Sequence, residues 1–301
     1  MMNNKFVLIK TILFMAAIVG IIIYVRENFE AISNTIQGLS INWVAFIFIL
    51  YLIILYNQAK MLRVSSTLIQ EKRTPLNDLM LVNGISSLVG NFIPSGAIAS
   101  KPLLIQKLIE IPLANAILSV SRVTITNLFA NLILLSIIIG YALPINLATQ
   151  ACIIIFVVAA YYVSMYPKPI MRVGFIFNLI KRVRMLIKPE SNKNGVVLLL
   201  RCLIQILLFG LIFWSYLTAV GEESAFLKAL TISLAGNLTM LIAVTPGNLG
   251  VKEGVYFILS QKLAINAEVV VSIILIDRLV QITCLIFVNM TCWVLYKNKA
   301  H

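Results

Sequence analysis

The feature that most limits what this chain can fold into is a series of apolar runs about as long as a bilayer core is thick. A membrane-spanning helix needs roughly 20 mostly apolar residues. Such runs lie near residues 6–25, 41–58, 113–140, 150–166, 196–220 and 267–296. Hydrophobic residues make up 60% of the chain and charged residues 12%, and mean hydropathy is +0.99. That is more apolar surface than one water-soluble core can hide. The expectation is an all-α polytopic integral membrane protein: one transmembrane domain over 1–301, with about six full spans. The first run, Phe6–Val25 after Lys5, reads as a retained signal anchor, because no small-x-small cleavage pattern follows it.

The formal charge is +13, yet the cations do not form a soluble basic face, which argues against a nucleic-acid partner. They sit in loops between apolar runs, as membrane topology demands. The largest cluster runs from Lys168 to Lys193, with Glu190 its only acid. The loop after the second run carries Lys60, Arg63, Lys72 and Arg73, whereas the connection at 141–149 carries no charge and 221–225 holds Glu222 and Glu223. Basic and non-basic loops alternate if both termini are cytoplasmic and the chain lies in a bacterial-type cytoplasmic (inner) membrane. The alternation holds only if two further apolar segments, near 79–109 and 226–263, each enter and leave on one side. These are expected to be re-entrant elements.

Little in the sequence suggests metal or redox chemistry. Cys152, Cys202, Cys284 and Cys292 all lie within apolar runs, with no Cys-x-x-Cys pair, and the single histidine is His301. They read as small buried apolar residues. No metal site and no cofactor is expected, and no Walker motif is present.

The two broken segments resemble each other. In each, a glycine (Gly84, Gly236) stands ten residues before a proline (Pro94, Pro246), small residues follow, and then a lysine (Lys101, Lys252). Each leads into a long apolar helix with an arginine within it, Arg122 and Arg278. The loop charges give the two elements, about 79–140 and 226–296, opposite orientations, which makes an inverted repeat of the kind many secondary transporters use. Proline removes a backbone donor and clashes with the preceding turn, and glycine permits dihedrals a helix does not use. Pro94, Gly96, Pro246, Gly247 and Gly250 therefore mark breaks at membrane depth. Free N–H and C=O groups there must face protein or a watery cavity. A helix starting at such a break directs N–H groups into that cavity and favours an anion.

The stretch from Val244 to Gly254, reading VTPGNLGVKEG, closely resembles a signature of the lysylphosphatidylglycerol synthase transmembrane family, approximately Thr-Pro-Gly-Gly-Leu-Gly-Val-Arg-Glu. Asn248 stands for its second glycine and Lys252 for its arginine. Asn91–Lys101 is similar to the family's first signature but lacks its acid, and Ser121 and Thr124 stand where members tend to carry acids around the arginine matched by Arg122. Asp277-Arg278 follows the family's pattern in the second element. The resemblance spans essentially the whole chain. It implies a lipid-handling membrane domain like the membrane half of the multiple peptide resistance factor, without the soluble aminoacyl-transfer domain of its best-understood members.

The reading that follows is a lipid translocase, or a lipid-binding protein built like one. A phospholipid or lipid-linked anionic headgroup would be held by Lys101, Arg122, Lys252, Glu253, Asp277 and Arg278. Ionisable groups at membrane depth cost at least ~2.5–3.5 kcal/mol on insertion scales, so they usually face a cavity or a partner. Two alternatives stay open: a membrane-embedded transferase on a lipid-linked substrate, and a non-catalytic scaffold of an envelope-synthesis complex. Missing histidines and the lack of a nucleophile beside a base weigh against an enzyme. Association with an envelope-synthesis partner or a second copy also stays open. Arg201 is explained by snorkelling as well as by function, and Asn127 and Asn131, spaced i, i+4, suggest bonds between helices.

Overall fold

A computed structural model describes residues 37–67, 74–93, 95–142, 192–222, 225–239 and 248–297, together with positions 26, 30, 33 and 245. The expected spans at 6–25 and 150–166, the loop at 168–191, and Pro94, Pro246 and Gly247 lie outside the described residues.

The described elements are helices: α1 Ile41–Thr67, α2 Leu76–Phe92, α3 Gly96–Ile109, α4 Leu113–Ala142, α5 Asn192–Ala219, α6 Phe226–Thr239, α7 Val251–Lys262 and α8 Ala267–Lys297. Among them α1, α4, α5 and α8 are long and apolar enough to cross a membrane. The other four have 17, 14, 14 and 12 residues. At 1.5 Å per residue these reach about 18–25 Å, short of a ~30 Å hydrocarbon core. The sequence thus produces two kinds of helix, and the breaks create the short kind.

Each break makes a helical hairpin. α2 ends at Phe92, Ile93 is extended, and Ser95 turns the chain with a φ of 57° before α3 begins. The two arms then pack tightly: a Cβ placed on Gly90 would lie 2.7 Å from the Ala97 Cβ. Ile105 of α3 joins Leu79 and Val82 of α2 in one buried cluster, so the arms run antiparallel. In the second hairpin α6 packs on α7, with Gly236 directly against the Tyr256 side chain. Only glycine leaves room for that ring.

The chain repeats this plan. A long helix, two short arms and a long helix appear twice, with lengths of 27, 17, 14 and 30 residues and then 28, 14, 12 and 31. Exchanging α1 with α5, α2 with α6, α3 with α7 and α4 with α8 maps every principal helix–helix contact onto another: α2 on α8 matches α6 on α4, and α1 on α4 matches α5 on α8. The pair α1 and α5 maps onto itself. These two run antiparallel. Asn57 and Met61, late in α1, meet Arg201 and Cys202, early in α5, while Tyr51, earlier in α1, and Tyr216, near the end of α5, converge on one carboxylate of α8.

Two side chains behave differently from their sequence reading. Arg201 does not simply stretch toward an interface: its Nη1 donates to Asn57 Oδ1 at 3.2 Å, and Asn57 Nδ2 donates back to the Arg201 carbonyl at 2.9 Å. This exchange ties the two long helices together across their crossing. Asn131 Nδ2 donates to the Asn127 carbonyl within its own helix, at 2.7 Å, so the i, i+4 spacing closes locally.

Candidate functional site

Both breaks open on the same cavity, which has a volume of about 230 Å³. Ser95, Gly96 and Ala97 line it from the first hairpin, and Gly236, Thr245 and Asn248 from the second. The long helices close it with Tyr51 and Gln58 of α1, Phe213 of α5, and Asp277, Arg278 and Gln281 of α8. This is where a helical bundle can hold a polar site. Two helices are interrupted, their end groups need polar surroundings, and the spanning helices supply the walls.

The second break is built around Glu253. Gly250 has a φ of 82°, which lets the chain turn sharply into α7. Its N–H donates to Glu253 Oε2 at 2.8 Å, so the carboxylate satisfies one of the orphan donors of the new helix. The other oxygen, Oε1, accepts from Arg278 Nε at 3.0 Å and Nη2 at 2.7 Å. Glu253 therefore locks the start of α7 to the middle of α8. The arginine pairs with the neighbouring hairpin rather than with Asp277 beside it.

Asp277 takes different partners. Tyr51 Oη donates to its Oδ1 at 2.5 Å, and the fully buried Tyr216 lies near the same carboxylate, its hydroxyl making no hydrogen bond in the structure. Lys252 also lines the cavity, its Nζ 5.3 Å from the centre of the Tyr256 ring, a cation–π arrangement. That ring is braced edge-on by Phe213 at 5.4 Å. Lys252 and Asp277 feel each other's charge across the cavity, but they form no direct ion pair: the salt bridge there is Arg278–Glu253. The wall thus carries two opposite charges held apart by aromatic and hydroxyl partners.

Of the residues singled out in the sequence, Lys252, Asp277, Arg278 and Gly96 line the cavity, and Glu253 and Gly250 form its clamp. Lys101 and Arg122 are not among the lining residues; Arg122 is 4% exposed, on α4. Sequence reasoning did not single out Tyr51, Tyr216 and Tyr256. Tyrosines on apolar helices look like core aromatics until their hydroxyl partners are known. Gly236 was a usable signal, since a glycine in register with Gly84 implied close approach by something large.

The family model for the lysylphosphatidylglycerol synthase TM region matches residues 7–288. The chain belongs to that family. The match takes in both hairpins, all four long described helices up to Val288, and every residue of the cavity wall named above. No curated protein and no solved structure matches the chain. Membership in this family, with four membrane-length helices, makes this a membrane protein with a lipid-related role. Its signature stretch 244–254 contributes Thr245, Asn248 and Lys252 to the cavity and Gly250 and Glu253 to the clamp.

Proposed function

We propose that this protein is a lipid translocase, or a lipid-binding membrane protein built like one, that takes an anionic headgroup into the cavity between its two hairpins. One observation carries the reading: two interrupted helices, one from each half of the chain, end at a common cavity with Lys252 and Arg278 in its wall. Interrupted helices meeting between two repeats are the usual way a transporter builds a site at the membrane midplane. The antiparallel pair α1 and α5, which exchange under the repeat, supports opposite orientation of the two halves, hence one transmembrane domain of inverted repeats with two re-entrant hairpins. The contact of Asn57 and Met61 with Arg201 and Cys202 also puts the end of α1 and the start of α5, which adjoin basic segments in the sequence, at one end of the bundle. By the positive-inside rule that end is cytoplasmic, in an inner membrane, with both termini on the same side.

In this mechanism Lys252 is the cation that meets the headgroup, because Arg278 is already engaged by Glu253. Rocking of one hairpin-bearing half against the other about the α1–α5 crossing would expose the cavity alternately to each leaflet. The test is a leaflet-reporter assay. The protein is reconstituted in vesicles with a trace of fluorescent phosphatidylglycerol, aminoacylated phosphatidylglycerol or polyprenyl phosphate, and dithionite bleaches the outer leaflet. Faster loss of protected signal for one headgroup, abolished in Lys252→Ala, is the expected outcome. Folded protein that accelerates none of these lipids overturns translocation. Chemical conversion of the lipid would instead point to a transferase, and a stable co-purifying envelope-synthesis partner without lipid movement to a scaffold.

A further inference from the structure

The charges at the cavity balance when Asp277 is ionised: Lys252 and Arg278 against Glu253 and Asp277. Arg278 and Glu253 are bonded to each other, so the remaining free balance is between Lys252 and Asp277. An anionic headgroup arriving at Lys252 must compete with the Asp277 carboxylate. Neutralising that carboxylate with a proton removes the competitor and leaves the wall with one net positive charge. Proton binding at Asp277 and anion binding at Lys252 therefore favour each other, and by linkage the effect is reciprocal.

A proton also needs a route. Beside Asp277 lies a second, smaller cavity of about 20 Å³, lined by Tyr51, Gln58, Ser87 and Gln281 among others. That is room for one water, and four polar side chains can hold it. From there a polar seam follows the contact between α2 and α8. About two turns beyond Gln281, Asn289 packs directly on Gly84. Asn83, fully buried, shares a helix face with Ser87. Both amide atoms of Asn83 and both of Asn289 are buried without a hydrogen-bond partner. Such orphaned groups are rare in native interiors and call for water. The seam ends at Asp78, buried in the first turn of α2 and facing Cys292 of α8. Asp78 lies at the end of α2 that follows the basic segment around Lys72 and Arg73. Titratable groups in chains at membrane depth are the usual composition of proton relays.

We propose that Asp277 is a proton-binding site that couples headgroup movement to proton movement, supplied from the Asp78 end along the water-bearing seam between α2 and α8. This rests on the translocase reading above. The groups facing Asp277 are Tyr51 from α1, Tyr216 from α5, Lys252 and Tyr256 from α7, and Arg278 from its own helix, while Glu253 is engaged by Arg278 and Gly250. In the step itself the carboxylate takes a proton from a hydronium in the seam, leaving water. It then donates rather than accepts on the protonated oxygen, and it returns the proton to water when the headgroup leaves.

The experiment imposes a pH step of one unit across vesicles containing the full chain and fluorescent phosphatidylglycerol, with a lumenal pH dye beside the dithionite readout. One proton per lipid drives the probe to about a tenfold imbalance between leaflets per pH unit, with matching lumenal pH change. Equal leaflets under the gradient, with translocation intact, overturn proton coupling and leave the translocase reading standing. In the variants Asn83→Leu and Asn289→Leu the leaflet imbalance and the lumenal pH change under the gradient are expected to be lost. Unchanged response in both overturns the seam as the route. Infrared spectra of wild type and Asp277→Asn between pH 5 and 9 decide proton binding independently of any lipid movement. A protonated-carboxyl band present in wild type and missing from the variant is expected, and identical spectra overturn the assignment.

Discussion

Ser95 and Asn248 hold the same left-handed backbone, φ 57° and φ 56°, and both line one cavity. Each lies in the stretch that leads into the second arm of its hairpin, and a second pair, Glu110 and Ala264, has left-handed backbone after the third and seventh helices at φ 60° and 53°. Left-handed backbone is uncommon outside glycine, and asparagine is among the residues that tolerate it best. The turns that lead into α3 and α7 are therefore shaped by left-handed backbone conformation.

The first prediction concerns that conformation. Asn248→Gly should fold with unchanged or slightly raised thermal stability in detergent, since glycine adopts this φ freely. Asn248→Val should lower stability by roughly 1–2 kcal/mol, the approximate cost of forcing a residue with a branched Cβ into that region. Ser95→Gly and Ser95→Val should show the same ordering. Thermal unfolding followed by tryptophan fluorescence or size-exclusion recovery would check all four, and a Val variant as stable as its Gly counterpart would contradict the turn geometry.

The second prediction concerns the Glu253–Arg278 clamp, whose side chains are only 10% and 17% exposed. Removing one partner strands a charge, which costs about 3–5 kcal/mol in buried pairs, whereas replacing both with apolar residues of similar volume is often neutral. Glu253→Met and Arg278→Met should each sharply reduce recovery of folded protein, and the double variant should regain most of it. Because Glu253 also caps the Gly250 N–H, recovery should stop about 1 kcal/mol short of the native chain. A double variant no better than the singles would show that the pair is not a closed unit.

How much of this was legible in the sequence follows from which forces act locally. Membrane class and the long helices came from apolar runs alone, because a bilayer span is a one-dimensional property of the chain. The hairpins were legible from Pro94, Pro246 and the glycines around them, since a helix break is also local. Partner choice was not. The sequence placed Asp277 and Arg278 side by side, but on a helix neighbours i and i+1 point apart, so Arg278 turns to Glu253 and Asp277 to Tyr51. Lys101 and Lys252 looked equivalent by spacing, yet only Lys252 lines the cavity. Position relative to a break fixes the depth of a residue, whereas the direction of its side chain depends on the turn that precedes it.

A third prediction tests the close approach inside the first hairpin. Gly90 faces Ala97 with no room for a side chain, the added Cβ lying 2.7 Å from the alanine methyl. Gly90→Val should push the arms apart and destabilise the fold by about 1–3 kcal/mol, the usual cost of overpacking. Combining it with Ala97→Gly should recover part of the loss, because the clash is with that methyl group. Thermal unfolding of the single and double variants reads this directly, and an additive double variant would argue against the contact.

The last prediction separates the two lysines. Lys252 projects into the cavity over the Tyr256 ring, and Lys101 is not part of the cavity wall. In the leaflet-reporter assay Lys252→Ala should remove most lipid movement, whereas Lys101→Ala should retain the larger part of it. Lys252→Arg should keep partial activity, since it preserves the charge but replaces a compact ammonium with a planar fork. Tyr256→Leu should weaken movement in the same direction as Lys252→Ala, by releasing the ammonium from the face that positions it. If Lys101→Ala and Lys252→Ala proved equally damaging, the headgroup would have to contact both halves of the repeat symmetrically, and the cavity described here would be one of two conformations rather than the binding state.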